Sequence, residues 1–167
     1  MTGEDKIEIT DADLKHLSRA VDLAEEALEA GDAPFGSVLV GENGEVLFED
    51  HNHVAGGDAT RHPEFEIARW AAKNLPPESR IQATVCTSGE HCPMCAAAHG
   101  FVGLGRVVYA TSSAQLTSWR EELGLPRGPV APLPIESVAL DVFVQGPVET
   151  FEQRVKNLQQ KYWLKQR

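Results

Sequence analysis

The spacing of apolar residues near the N-terminus predicts an amphipathic helix from Asp11 to Ala30. The apolar positions recur every three or four residues, at Leu14, Leu17, Val21, Ala24 and Leu28. Thr10 or Asp11 suits the N-cap of this helix, and Gly31 suits its C-terminal stop. The chain therefore opens with one helix that buries a single face.

The pattern then changes to two extended segments. The stretch "PFGSVLVGENGEVLFED" predicts two strands around a tight turn, because Asn43-Gly44 is a strong hairpin signal. The composition of "AGGDATR" is that of a loop. From Pro63 to Asn74 a second helix is predicted, with proline at its first position, and Pro76-Pro77 ends it.

Short β-branched runs alternate with helical segments over the rest of the chain. Strands are predicted at "IQATVCTS", "RVVYATS" and "VALDVFVQ"; helices are predicted from Cys92 onward, at "AQLTSWREELG" and at "ETFEQRVKNLQQKYWLKQ". The segment "RGPVAPLPIES" reads as an extended loop. This order predicts an α/β domain: a three-layer α/β/α sandwich whose five-stranded mixed sheet is antiparallel at one edge.

Length and charge limit the classes of protein. A chain of 167 residues with 42% hydrophobic content fits one domain, 1–167. It has no run of ~20 apolar residues and no secretory signal, so we expect a cytoplasmic protein without a membrane partner. The net charge of -10 argues against a nucleic-acid partner, because phosphates are bound by lysine and arginine.

Two of the three cysteines stand close together in "EHCPMC". An odd number of cysteines argues against a disulfide framework and favours metal binding or catalysis. Cys86 alternates with apolar neighbours in a predicted strand and is expected to be a buried core thiol. Cys92 and Cys95 by themselves leave three readings open: a redox dithiol, a closed structural metal site with His91 or Cys86 as fourth ligand, and a catalytic metal site.

A third ligand for a catalytic site is found upstream. Catalytic zinc usually takes three protein ligands and keeps one position for water. Of the six histidines, His62 is the best candidate, because it begins a predicted helix and follows a loop of turn formers. Glu64 comes two residues later, within reach of the fourth position, where it can move protons from a water whose pKa the metal lowers towards ~7. A structural zinc module has no need for that carboxylate.

Taken together, His62-Pro63-Glu64 and the C-x-x-C pair resemble the H-x-E … P-C-x-x-C pattern of the zinc-dependent cytidine deaminase-like superfamily. The stretches "APFGSVLV", "HNHV", "DATRHPE" and "TSGEHCPMCAAAHG" look most like guanine deaminases and tRNA adenosine deaminases. Two positions depart from the family pattern. Pro63 replaces the usual alanine, and His91 replaces the usual proline, directly beside a ligand.

This resemblance implies a zinc-dependent hydrolytic deaminase, with Glu64 as proton carrier. A free base of the guanine type, and hence purine metabolism, is the first expectation for the substrate; tRNA adenosine and cytosine or cytidine are the enzymatic alternatives. A zinc-stabilised interaction module is the non-enzymatic alternative. The resemblance also implies a homodimer.

The same resemblance implies a set of substrate contacts. Asn52 would hydrogen-bond the base, Phe35 and the backbone around Ala33 would line the pocket, and His91 would alter its wall. Phe101 stands where guanine enzymes carry a bulky aromatic, and Glu121 or Glu122 would be a second proton carrier. Tyr162 or Trp163, on a C-terminal helix at about 147–164, would cap a neighbouring subunit's site. The alternatives are a turn role for Asn52, a solvated face for the two glutamates, and plain packing for the two aromatics.

Overall fold

A computed structural model describes residues 8–166. One five-stranded sheet with the order β2-β1-β3-β4-β5 lies between two layers of helices. The helices are α1 (Asp11–Glu29), α2 (Pro63–Asn74), α3 (Pro77–Arg80), α4 (Pro93–Val102), α5 (Ser113–Glu122) and α6 (Glu149–Lys165). The strands are β1 (Gly36–Val40), β2 (Val46–His51), β3 (Thr84–Gly89), β4 (Val107–Thr111) and β5 (Val144–Gln145). The predicted three-layer α/β fold is confirmed.

Strand directions bring two strand ends to one edge of the sheet. β1 pairs antiparallel with β2 and with β3, and Ser37 stands opposite Thr87. β3 and β4 run parallel, so that Gly89 stands opposite Thr111. Because parallel strands end at the same edge, the segments that follow β3 and β4 start side by side.

Each face of the sheet has its own core. On one face α1, α5 and α6 pack on Val38, Cys86 and Val108; on the other, α2 and α4 pack on Leu39 and Val85. Side chains alternate between faces along a strand, so Cys86 points toward α1 and Thr87 points toward α2. Cys86 is fully buried, and burial raises the pKa of its thiol to about 12. It is a core thiol, away from the other two cysteines.

The start of α1 is fixed by hydrogen bonds and one ion pair. Thr10 and Asp13 form a reciprocal capping box. The Asp13 carboxylate also accepts hydrogen bonds from Arg106 at 2.9 and 2.7 Å, and both side chains are largely buried. The same arginine donates to Gln145 in β5 at 2.6 Å. Arg106 therefore ties the first helix to the last two strands.

The prediction of a strand over all of "VALDVFVQ" is wrong. Only Val144 and Gln145 pair with β4, and the preceding residues form a turn. Ala139 is buried against Gly100 of α4, whereas Leu140 is 82% exposed. The apolar residues of this segment therefore cover the end of α4 instead of extending the sheet.

The C-terminal helix packs on its own chain. α6 lies against α1, β4 and α5, and Trp163 is 7% exposed in the core on that face. The Arg120 guanidinium covers the indole, 5.5 Å from the ring centroid. Tyr162 is half-buried against the same core. Within this chain these aromatics pack on the face opposite α2 and α4. The capping of a neighbouring subunit's site stays a prediction. None of the described helices combines the length and apolar content needed to cross a membrane.

Candidate active site

His62, Cys92 and Cys95 meet at the starts of two helices. Each is placed by a proline-initiated helix: His62 is the N-cap of α2, and Cys92 is the N-cap of α4. His62 Nδ1 lies 3.6 Å from each of the two Sγ atoms. One donor atom from each residue lies within 4.8 Å of the others. Within residues 8–166 this cluster has three members, and neither His91 nor Cys86 joins it. One imidazole and two thiols fit zinc with an open position.

The electrostatics of the cluster favour a bound cation. Hydrogen bonds from Cys95 and from His62 lower the pKa of Cys92 to about 4 despite its burial. The neighbouring Cys92, and burial next, raise the pKa of Cys95, because a second negative charge there is unfavourable. The pKa of His62 is raised, first by its hydrogen bond with Cys92. A divalent ion would relieve the repulsion between two thiolates, so these residues fit the metal.

Glu64 lies beside the cluster without belonging to it. It is 5% exposed, in the first turn of α2. Burial raises the pKa of this carboxyl, and the positive charge of His62 opposes that shift. A buried carboxyl with a raised pKa suits an acid–base group, which must both take and return a proton near neutral pH.

Thr87 holds Glu64 in place, and the sequence analysis missed it. Its Oγ1 lies 2.9 Å from Glu64 Oε1, donating to it, and receives a hydrogen bond from Ser37 Oγ at 2.8 Å. Both hydroxyls are fully buried. Thr87 sits in a short strand, and only the pairing of β1 with β3 shows that its face meets α2. The sequence did offer one indication: side chains alternate along a strand, so Thr87 must face the side of the sheet opposite Cys86.

Thr87→Val should lower kcat about 10- to 100-fold with little change in KM. Valine keeps the shape but removes a hydrogen bond to a charged group, worth roughly 1.5–3 kcal/mol. Steady-state kinetics at matched zinc content measures this. Thr84→Val, at the other end of the same strand, is the control and should stay near wild type. An unchanged kcat for Thr87→Val would show that Thr87 does not position Glu64.

Three of the expected substrate contacts, Ala33, Phe35 and Asn52, are joined by backbone hydrogen bonds. The Phe35 carbonyl accepts the backbone amide of Asn52 at 3.0 Å, and the Phe35 amide donates to Ala33. The Phe35 ring lies against Gly89, where a β-carbon would come within 3.2 Å of it. The Asn52 side chain is 2% exposed, and its Oδ1 accepts the Val54 amide at 2.9 Å. That bond is the turn role raised for Asn52.

His91 is buried against α4 and does not belong to the cluster. It is 1% exposed, and its ring meets His99 of α4 edge-on, with ring centroids 5.4 Å apart. Burial, followed by the nearby His99, keeps the pKa of His91 well below its usual value. His91 is therefore a buried imidazole outside the three-residue cluster, and its role as a substrate contact stays a prediction. Its neighbour Glu90 accepts the amides of Ser113 and Ile135, pinning the loop before β5.

Three further expected contacts are exposed to solvent. Phe101 is 93% exposed in the last turn of α4, about 9 Å along the helix axis from Cys95. Glu121 and Glu122 are exposed in the last turn of α5, and Glu122 pairs with Lys156 at 3.0 Å. The two glutamates therefore lie on a solvent-exposed face of α5, which was the alternative raised for them. The roles expected for these three residues at a site stay predictions.

The comparisons with known proteins agree with this geometry. The model of the cytidine and deoxycytidylate deaminase zinc-binding region matches residues 10–111, from the cap of α1 to the end of β4. A probable cytosine deaminase of Schizosaccharomyces pombe is 30% identical over 117 residues, which are 70% of this chain and 71% of the relative.

Two further matches, one curated protein and one solved structure, are guanine deaminases. Guanine deaminase of Bacillus subtilis is 38% identical over 96 residues, which are 56% of this chain and 61% of the relative. A solved structure of guanine deaminase from that organism has a TM-score of 0.55 at 26% identity, over 88% of this chain and 93% of that one.

A solved structure from studies of tRNA:A34 deaminases has a TM-score of 0.59 at 27% identity and covers 85% of this chain and 99% of that one. The matched region contains His62, Glu64, Cys92 and Cys95 in the order that zinc deaminases require. This chain therefore belongs to the family of zinc-binding cytidine and deoxycytidylate deaminases.

Proposed function

We propose that this protein hydrolytically deaminates a free nucleobase, with a guanine-type base as its substrate. The observation that carries the proposal is the buried Glu64 carboxyl beside a three-residue His/Cys/Cys cluster. A closed structural site would use a fourth protein ligand, and the cluster has three within the described residues. An open position next to an acid–base group is what hydrolysis needs.

The chain's own residues supply the proton transfers. Zinc held by His62, Cys92 and Cys95 would supply an activated water as the nucleophile. Glu64 takes a proton from the attacking water and gives it to the ring nitrogen next to the carbon under attack. It then takes the remaining proton from the hydroxyl added to that carbon and passes it to the exocyclic amine, which leaves as ammonia while the carbon becomes a carbonyl. Thr87 holds Oε1 of Glu64, so the other carboxylate oxygen carries the proton.

We assign the recognition of the base to the loop after β2 and the segment before β1. The Asn52 amide NH2 would donate to a ring or carbonyl acceptor of the base, and the Phe35 ring would pack along its edge. Their mutual backbone hydrogen bond and the contact of Phe35 with Gly89 support this assignment, because they keep both side chains in fixed positions.

The net charge of the chain supports a free base rather than RNA as the substrate. The net charge is -10, and a structured RNA is usually held through many phosphate contacts. The similarity to guanine deaminase adds to this argument, and the similarity to tRNA:A34 deaminases makes RNA the main competing substrate.

Ammonia release from a substrate panel tests the proposal. The panel contains guanine, cytosine, adenine, their nucleosides and a tRNA anticodon stem-loop, each given to zinc-loaded protein. We expect guanine to give the highest kcat/KM. Turnover of the stem-loop alone would reject the free-base proposal and leave the deaminase family assignment intact.

We also propose that the protein forms a homodimer. Phe101 and Leu140 are 93% and 82% exposed, and they follow two residues, Gly100 and Ala139, that touch each other. Exposed apolar side chains that lie together often mark an interface. Light scattering should give twice the chain mass for wild type, and Phe101→Glu should shift it to the monomer mass. A monomeric wild type would reject the dimer.

A further inference from the structure

A second cluster of metal-ligand side chains lies outside the His/Cys/Cys site. It consists of Asp32 in the turn between α1 and β1, His51 at the end of β2, and His53 two residues later. One donor atom from each of the three lies within 4.8 Å of the others. The two imidazole centroids are 4.5 Å apart with planes tilted by 31°. This Asp32–His51–His53 cluster shares no residue and no helix with the catalytic one.

Hydrogen bonds orient each member of the cluster through one atom and leave a second atom free. His51 Nδ1 bonds the Asn52 carbonyl at 2.8 Å, and His53 Nε2 bonds Asp50 Oδ1 at 2.8 Å. Asp32 Oδ1 accepts the Ala55 amide at 2.8 Å. What remains for a ligand is Nε2 of His51, Nδ1 of His53 and Oδ2 of Asp32. Histidines that bind metals usually donate the opposite ring N–H to a carbonyl or a carboxylate, which is the pattern found here.

Burial and charge favour a cation at this cluster. Asp32 is 6% exposed, and its carboxylate accepts one hydrogen bond, from the Ala55 amide. Asp32 and Asp50 place two carboxylates beside the two imidazoles. The His53 side chain is 39% exposed, so an ion can enter from solvent. Two imidazoles and one carboxylate suit a divalent transition metal better than magnesium or calcium.

We propose that Asp32, His51 and His53 form a second binding site for a divalent transition-metal ion. Such an ion would tie the turn before β1, which continues into Phe35, to the loop that carries Asn52. It would hold two elements that are far apart in sequence, and it would have no part in activating water. The alternative without a metal is a hydrogen bond between His53 and Asp50 beside a packed His51.

Zinc titration of the full chain tests the second site. Protein loaded with one zinc ion is dialysed against zinc at roughly micromolar free concentration with excess magnesium, and bound zinc is counted by mass spectrometry. We expect two zinc ions per wild-type chain and one for Asp32→Asn and for His53→Asn. Asparagine at position 32 keeps an oxygen for the Ala55 amide, so this variant should fold normally.

His16→Asn is the matched control, because His16 lies on α1 outside the cluster, and it should keep two zinc ions. A zinc-dependent rise in Tm beyond one equivalent should appear in wild type and disappear in both cluster variants. Wild type that binds one zinc ion, or cluster variants that still bind two, would overturn the proposal. Either result leaves the catalytic assignment untouched, because the first zinc ion is counted separately.

Discussion

Glu64→Gln should reduce kcat/KM by about 10³-fold or more, with zinc content and fold unchanged. Glutamine has the size of glutamate, and its carbonyl oxygen can still accept the Thr87 hydroxyl, but it cannot carry a proton. General acid–base groups contribute ~10²–10⁴-fold, and here one residue serves both proton transfers. Ammonia release, metal analysis and circular dichroism together measure the result.

Glu66→Gln is the matched control for this prediction. Glu66 lies in the same first turn of α2, where its carboxylate pairs with Arg61 at 3.2 Å, and it takes no part in the cluster. It should retain activity within about 2-fold, since surface ion pairs contribute little. Equal losses in the two variants, or full activity of Glu64→Gln, would contradict the role given to Glu64.

Asp13→Asn should lower the free energy of unfolding by about 3 kcal/mol. The variant leaves Arg106 largely buried without its carboxylate, and breaking a buried ion pair on one side typically costs this much. It also weakens the cap of α1. Urea denaturation measures the change. Asp22→Asn breaks a solvent-exposed pair with Arg154 and should cost less than about 1 kcal/mol.

The stability difference between wild type and Asp13→Asn should depend on pH in a definite direction. Burial acts to raise the pKa of Asp13, but hydrogen bonds from Arg106 and Thr10 outweigh it and lower the pKa below 3.8. A carboxylate with a lowered pKa stabilises the fold fully above its unfolded pKa and loses that contribution as the pH falls. The gap between wild type and Asp13→Asn should therefore be constant near neutrality and shrink below about pH 4. A gap that widened in acid would contradict the ion pair.

Local sequence features made most of the fold predictable. The hairpin depends on Asn43-Gly44, and α2 and α4 depend on prolines at their first positions, so each signal lies within the element it predicts. The predicted strand before α6 was wrong because its apolar residues were read by composition. Ala139 owes its burial to Gly100, nearly forty residues away, which no local pattern reports.

Local sequence features also made part of the candidate site predictable, but not all of it. His62, Glu64 and the cysteine pair could be proposed because each lies at a recognisable helix start with a set spacing. Thr87 could not, because its role depends on which face of β3 meets α2. The position of His91 was known, but its side-chain direction depends on His99 in the helix behind it. Trp163 shows the same limit, since its burial comes from packing between α1 and α6.

The most direct test of hydrolytic deamination at this site is isotopic. Zinc-loaded protein is given guanine in water enriched in ¹⁸O, and ammonia and the ring product are quantified together. The account predicts one ammonia for each product molecule, with one ¹⁸O atom at the carbon that lost the amine, and about 10³-fold less product from Glu64→Gln in the same time. Ammonia without label in the ring product, or no ammonia from any base in the panel, would contradict it.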